Sequence, residues 1–297
     1  MSSRFHLPFK KVCGMVPILT LKSSSQEAAM IRFFKRKLIT NRINADVGLA
    51  THTGMVRSIN EDSIICTDLP QVYIAVKICA VADGLGGYEG GEIASKVALE
   101  AFIKSVTDSI SKLDNDAKKR DSDFITHTLI EAVQAANTEV YVQAQSGNRR
   151  MATTLAAVLI LDAKAYVVNV GDSRVYSLDG DNLRRITTDH SLVAELVASG
   201  TITPDEIYTH PQRNMITRCL GVQSDVQADT FIEDFKPGKL LLICSDGLWE
   251  MVRDAQIKEI LLRSSSAQAA CDSLVEVANK NGGKDNISVI IIKAKVK

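Results

Sequence analysis

The sequence predicts an α+β fold in which mainly antiparallel sheets are covered by helices, and three observations predict it. Long β-rich apolar runs recur along the chain and are separated by turns too short for crossover helices. Two long segments carry apolar residues at helical spacing and stand side by side in the sequence, so strands come in runs and helices in pairs. The composition, 45% hydrophobic and 24% charged over 297 residues, is the ordinary mixture of a soluble globular protein. It excludes collagen, coiled coil and bulk disorder.

Taken in order, Val72 to Ala82 (VYIAVKICAVA) opens the strand-like runs. Ile93, Val97, Ala101, Val106 and Ile110 then recur near the 3.6-residue period of a helix. Ile125, Leu129, Val133, Ala136 and Val140 do the same. Thr153 to Leu161 and Ala165 to Val170 read as strands joined at Asp162-Ala163-Lys164, and Ser177-Leu178-Asp179-Gly180-Asp181 reads as a second hairpin turn. Shorter helices are expected at Leu192 to Ala198, Ala255 to Leu262 and Ala267 to Asn279. Strands are expected at Leu240 to Cys244 and Ile287 to Ile292.

The formal net charge of zero hides a split. Residues 1–45 carry nine Lys/Arg against Glu27 alone, which leaves 26 basic and 34 acidic side chains in the other 252 residues. Residues 1–45 therefore read as a basic, flexible extension and residues 46–297 as the folded domain. Within the extension, Gln26 to Leu38 could form a short amphipathic helix around Ile31, Phe33, Phe34 and Leu38, and Met30 could open a shorter protein. The acidic domain argues against a nucleic-acid partner. No run approaches the roughly 18–20 apolar residues of a membrane span, so stable membrane insertion is not expected. The six cysteines form no C-x-x-C pair. Cys66, Cys79 and Cys244 sit in or beside apolar runs and read as packing thiols, which favours a reducing, cytoplasmic setting.

The acidic residues carry the functional signal through where they fall. Asp83 ends the first strand run and precedes Gly84; Asp172 follows YVVNV and Gly171. Asp246 follows LLLIC-Ser245, Asp285-Asn286 precedes ISVIII, and Glu61-Asp62 lies just before Ile64-Ile65. One aspartate at a strand end is an ordinary turn residue. Five such positions, if the sheet brings them together, repel one another and cost desolvation energy unless a cation neutralises them. An all-oxygen donor set selects hard ions, Mg²⁺ or Mn²⁺, over zinc. Such a cluster suggests metal-assisted phosphoryl chemistry, and Arg57, four residues before Glu61, supplies a guanidinium suited to a phosphate.

Eight ordered segments then resemble one family. They are Gly54-x-x-Arg57-x-x-Asn60-Glu61-Asp62, Val81-Ala82-Asp83-Gly84-Leu85-Gly86-Gly87, Thr153-Thr154-Leu155, and Asn169-Val170-Gly171-Asp172-Ser173-Arg174. Thr188-Asp189-His190-Ser191, Ile216-Thr217-Arg218-Cys219-Leu220-Gly221, Cys244-Ser245-Asp246-Gly247-Leu248-Trp249 and Gly283-Lys284-Asp285-Asn286-Ile287 complete the set. Over residues 46–297 the chain resembles the metal-dependent protein phosphatases of type 2C, in their compact bacterial form.

The resemblance implies an α-β-β-α sandwich of two mainly antiparallel sheets flanked by helix pairs. It implies a serine/threonine protein phosphatase whose metal-activated water hydrolyses phosphoserine and phosphothreonine. By similarity, Asp83 bridges two Mn²⁺ or Mg²⁺ ions, the Gly84 carbonyl binds one of them, and Asp246 and Asp285 complete the first site. Glu61 serves the second site, Asp62 orients water, and Arg57 binds the substrate phosphate. Asp172, with Asp246, matches a third, weaker ion site. Leu192 to Arg218 corresponds to a flap beside the site. Leu85 stands where some eukaryotic relatives carry a histidine, so the group that protonates the leaving alkoxide is unassigned. His190 reads as a residue that holds the flap loop, and His52 as structural. The implied partners are phosphoproteins and a Ser/Thr kinase, and the implied state is a monomer. Two other readings are a catalytically dead phosphoprotein-binding relative, disfavoured by the presence of Asp83, Asp246 and Asp285, and a phosphatase of small phosphate esters.

Overall fold

The computed structural model describes residues 44–69, 75–86, 90–111, 121–147 and 150–295. The chain divides into two compact units, Met1–Thr40 and Asn41–Lys297, and every described residue belongs to the second. The expected amphipathic segment Gln26 to Leu38 lies outside the described residues, and Ala45 is already part of the first strand.

The strands are β1 (Ala45–His52), β2 (Ser63–Asp68), β3 (Val76–Ala82), β4 (Gly84–Leu85), β5 (Ala152–Thr153) and β6 (Leu155–Leu161). They continue with β7 (Lys164–Val170), β8 (Arg174–Asp179), β9 (Asn182–Arg185), β10 (Asp229–Asp234), β11 (Leu240–Cys244) and β12 (Ile287–Ala294). The helices are α1 (Gly90–Ile110), α2 (Ser122–Gly147), α3 (Leu192–Ala198), α4 (Asp246–Trp249), α5 (Asp254–Arg263) and α6 (Ala267–Lys280), with a 3₁₀ turn at Pro204–Tyr208. One sheet runs β1-β12-β11-β8-β9, a second runs β10-β7-β6-β3-β2, and β4-β5 form a short ribbon. Every pairing is antiparallel.

The unbroken apolar runs follow from burial on both faces of each sheet. In β6, Leu155, Ala157, Leu159 and Leu161 face the α1–α2 layer, while Ala156, Val158 and Ile160 face the other sheet. In β11, Leu240, Leu242 and Cys244 face α5 and α6, and Leu241 and Ile243 point inward. The layers are thus helix, sheet, sheet, helix, as expected. The β6–β7 turn narrows to Asp162 and Ala163, both at positive φ (49° and 62°), the two-residue geometry that matches strand twist. The expected turn at Ser177–Asp181 is shorter: β8 runs on through Asp179, because Tyr176 and Leu178 pack beneath α5 and α6.

Cys66 and Cys79 depart from the packing-thiol expectation. The β2–β3 register sets them directly opposite, and they are disulfide-bonded. Cys219, Cys244 and Cys271 are free. Among the described residues no helix is long and apolar enough to cross a membrane.

Candidate metal centre

The register gathers the acidic strand ends at one mouth of the sandwich. Ser63 pairs with Ala82, so Asp62, just before β2, and Asp83, just after β3, leave the second sheet at the same end. In the other sheet Cys244 pairs with both Val289 and Arg174. Asp246, Asp285 and Asp172, each one or two residues outside that row of strands, therefore emerge beside one another. Antiparallel strands enter and leave at alternate ends, which is why residues from 62 to 285 meet there.

Local hydrogen bonds fix each backbone. The Asp83 amide donates to Thr154 Oγ1 (3.0 Å), and the Asp83 carbonyl accepts from the Thr154 amide (2.9 Å) and Thr153 Oγ1 (2.9 Å). The Asn286 side chain ties the β1–β2 loop: its Nδ2 donates to the carbonyls of Thr53 and Ile59 (both 2.9 Å), and its Oδ1 accepts from the Glu61 amide (2.8 Å). Gly171 sits at φ 107° with Thr154 where a side chain would start, so only glycine makes this bend into Asp172. Glu61 places its carboxylate where a side chain on Gly91 would begin, against the positive first turn of α1. Gly84 is held equally tightly, its Cβ position blocked by the Gly91 carbonyl.

The electrostatics are those of crowded, desolvated carboxylates. Desolvation pushes the Asp83 carboxyl well above its ordinary value, and Asp62, Asp246, Asp172 and Asp285 push it further. Asp246 rises likewise, first by desolvation and then by Asp172, Asp285 and Glu250. Asp172 is pushed up to about 7, by burial and then by Asp189. Burial raises Asp62 to about 6 against the hydroxyls of Ser288 and Ser245, which favour its ionised form; Ser245 Oγ donates to Oδ2 at 2.8 Å. Three buried carboxylate oxygens, Asp62 Oδ1, Asp172 Oδ1 and Asp246 Oδ1, have no hydrogen-bond partner among the described residues. Native structures leave few buried polar atoms unpaired, and acceptors converging without donors fit a hard divalent cation.

Two expectations meet a different geometry. Arg57, read as the phosphate ligand, is half-exposed and donates from Nη2 to Asp285 Oδ2 at 2.6 Å. Among the described residues no three His, Cys, Asp or Glu side chains close around one point as an ion would require. The Arg57 ion pair holds Asp285 at the partly exposed rim of the mouth. The residues are gathered; their final closure is not.

Thr153, Thr154 and Ser245 stand in the segments of the 2C resemblance, which assigned them no role. Thr153 and Thr154 grip the Asp83 backbone, and Ser245 grips the Asp62 carboxylate. The His190 Nδ1 accepts from the Gly171 amide (3.0 Å), and its Nε2 lies 3.0 Å from Arg218 Nη1, joining the segment between α3 and β10 to the Asp172 bend. His52 Nδ1 accepts from the Gly54 amide (2.9 Å), a structural role.

A family model described as Protein phosphatase 2C matches residues 56–288. The chain belongs to the protein phosphatase 2C family. Among curated relatives, the serine/threonine phosphatase Stp of Listeria innocua is 36% identical over 223 residues, which is 73% of this chain and 84% of that protein. The crystal structure of the Mycobacterium tuberculosis serine/threonine phosphatase PstP/Ppp superposes with a TM-score of 0.73 at 31% identity, covering 85% of this chain and 99% of that one. A structure of the PstP catalytic domain in complex with two manganese ions gives a TM-score of 0.72 at 30% identity, covering 85% and 99%. The solved relatives thus share the fold of the family that the eight segments resemble.

Proposed function

We propose that the carboxylate mouth is the active site of a metal-dependent serine/threonine protein phosphatase acting on phosphoserine and phosphothreonine. The observation that carries this reading is the set of orphaned, desolvated oxygens on Asp62, Asp172 and Asp246 at one mouth with Asp83 and Asp285. The family supports it, as does the manganese named in the PstP structure. In this reading Asp83, the Gly84 carbonyl, Asp246, Asp285 and Glu61 hold two Mn²⁺ or Mg²⁺ ions, and Asp172 with Asp246 holds a third. When bound, the ions supply charge neutralisation and an acidified water nucleophile.

The protein's own part is positioning. Thr153 and Thr154 hold Asp83 in the centre of the mouth. Ser245 fixes one oxygen of Asp62, leaving Oδ1 to orient the attacking water. Arg57 exchanges Asp285 for the substrate phosphate, whose nonbridging oxygens a guanidinium can grip with two parallel bonds. Cys219 and Cys244 take no part: burial raises both thiols, away from a nucleophilic thiolate. A role in signalling opposite a Ser/Thr kinase, a monomeric state and a cytoplasmic location belong to the same reading. Among the described residues the free thiols Cys219, Cys244 and Cys271 agree with that location, and the Cys66–Cys79 bond speaks against it.

The test is hydrolysis of a phosphothreonine peptide with Mn²⁺, with Mg²⁺ and with EDTA, alongside Asp246→Ala. The reading requires turnover that needs a divalent ion and is lost in the variant. Folded protein that is inactive in every metal would sink it.

A further inference from the structure

Asp246 and Trp249 are the first and last residues of α4, so one helical turn carries both. The Trp249 indole N–H donates to the Asp172 carbonyl at 3.0 Å. The same turn that presents one carboxylate of the mouth thus grips the backbone that presents another. This bond lies just past the last ladder pair, Cys244 with Arg174, where the sheet no longer spaces β8 from β11.

The indole itself is immobilised. Trp249 is 3% exposed. The Arg174 guanidinium lies over its ring, 3.6 Å from the centroid, and the Tyr208 ring meets it at 6.3 Å and 63°. Arg174 is pinned in turn by Asp189, through Nε (3.0 Å) and Nη2 (2.7 Å), and by the Tyr176 hydroxyl (3.1 Å). On the far side of Tyr208 stands Arg253, 3.1 Å from that ring centroid. Tyr208 closes the 3₁₀ turn of the flap, so the flap packs directly on the residue that holds Asp172.

The geometry points to Trp249 as a positioning residue that sets the spacing of Asp172 and Asp246, and hence the affinity of the weakest ion site. This rests on the metal-phosphatase reading above. A rigid N–H donor behind a ligand acts as outer-shell groups do at metal sites, where removing one costs roughly 10–100-fold in affinity. Trp249→Phe keeps an aromatic ring between Arg174 and Tyr208 and removes the N–H together with the second ring of the indole.

Mn²⁺ binding to the whole protein, followed by calorimetry and by the electron-spin signal of free Mn²⁺, tests the assignment. Trp249→Phe should raise the dissociation constant of the weakest ion by roughly 10–100-fold and leave the tighter ions unchanged. Asp172→Asn should remove the same ion, and the double variant should lose nothing more. Trp249 is the only tryptophan of the chain, so the wild type carries its own reporter. A phase of Mn²⁺ quenching of its fluorescence should track the weakest ion and vanish in Asp172→Asn. Wild-type affinities in Trp249→Phe, or an equal loss at all sites, would overturn the assignment. Should that variant not fold, a quenching titration indifferent to Asp172→Asn overturns it instead. Failure of the wild type to bind Mn²⁺ at all would remove the phosphatase reading as well, so the two failures are distinct.

Discussion

Two buried charged clusters lie back to back at the β7–β8 bend, and they are built on opposite terms. On one side Asp62, Asp83, Asp172 and Asp246 crowd together, with three oxygens lacking any donor. On the other, Arg174 and Asp189 are almost wholly buried and fully engaged: Asp189 also accepts from Arg185 (3.0 Å), and the Tyr176 hydroxyl donates a hydrogen bond to Asp254 (3.1 Å). Only Ser173 separates Asp172 from Arg174, yet one cluster is electrostatically open and the other is closed. A closed cluster holds the fold in one arrangement. An open one has a cost for the bare fold and is explained only by what it binds.

The largest effect should come from the open cluster. Asp246→Ala should lower Mn²⁺-dependent turnover of a phosphopeptide on the order of 10³-fold, the scale of several kcal/mol of lost charge stabilisation. The melting temperature of the EDTA-treated protein should not fall with it, since a repulsive carboxylate has been removed. If the variant instead melts far lower, Asp246 belongs to the closed kind.

Breaking the closed cluster should do the reverse. Asp189→Asn leaves Arg174 buried against a neutral partner and should cost roughly 3–5 kcal/mol of stability, read by denaturant unfolding. Arg57 sits between the two kinds, on an exposed ion pair of little worth to the fold. Arg57→Ala should leave unfolding nearly unchanged while lowering kcat/KM by about 10–100-fold, the worth of charge-assisted bonds to phosphate.

The smallest effect is one of pH, and its sign separates the clusters again. A carboxyl raised by folding is more stable protonated, so the native state binds the extra proton. With Asp62 near 6 and Asp172 near 7, these carboxyls should add stability to the metal-free protein as the pH falls from 7.5 to 5.5, offset in part by His190, which burial holds low. Asp229 and Glu233, held low by their paired cations, give up their stabilisation only below the ordinary carboxylate range, outside that window. Saturating Mn²⁺ should flatten the trend or invert it. A melting temperature of EDTA-treated protein that climbs steadily from pH 5.5 to 7.5 would contradict the open-cluster description.

The layered fold and most of its elements were legible in the chain because burial on both sheet faces forces long apolar runs. α3 matches its expected span to the residue, Leu192–Ala198, since Ser191 caps it (Ala194 amide to Oγ, 3.4 Å) just where the apolar pattern begins. The hairpin of β8 and β9 was legible only through its turn, and β10 was not legible. β9 and β10 are edge strands with one wet face, and β8 extends past its expected end, where Leu178 pairs with Leu240 and packs beneath α5 and α6. The site acids were visible as strand-end residues, and the glycines beside Asp83, Asp172 and Asp246 marked the bends that expose them.

Sequence by itself determined the alternation of apolar runs and acidic ends, the 2C motifs, and so the kind of chemistry this mouth can hold. Only the tertiary structure decided that Arg57 rests on Asp285, that Cys66 faces Cys79, and that Trp249 reaches the Asp172 carbonyl from 77 residues away. Spacing along a chain reports which face a residue occupies. Which residue stands across from it is set by strand register and layer packing between segments that share no local signal.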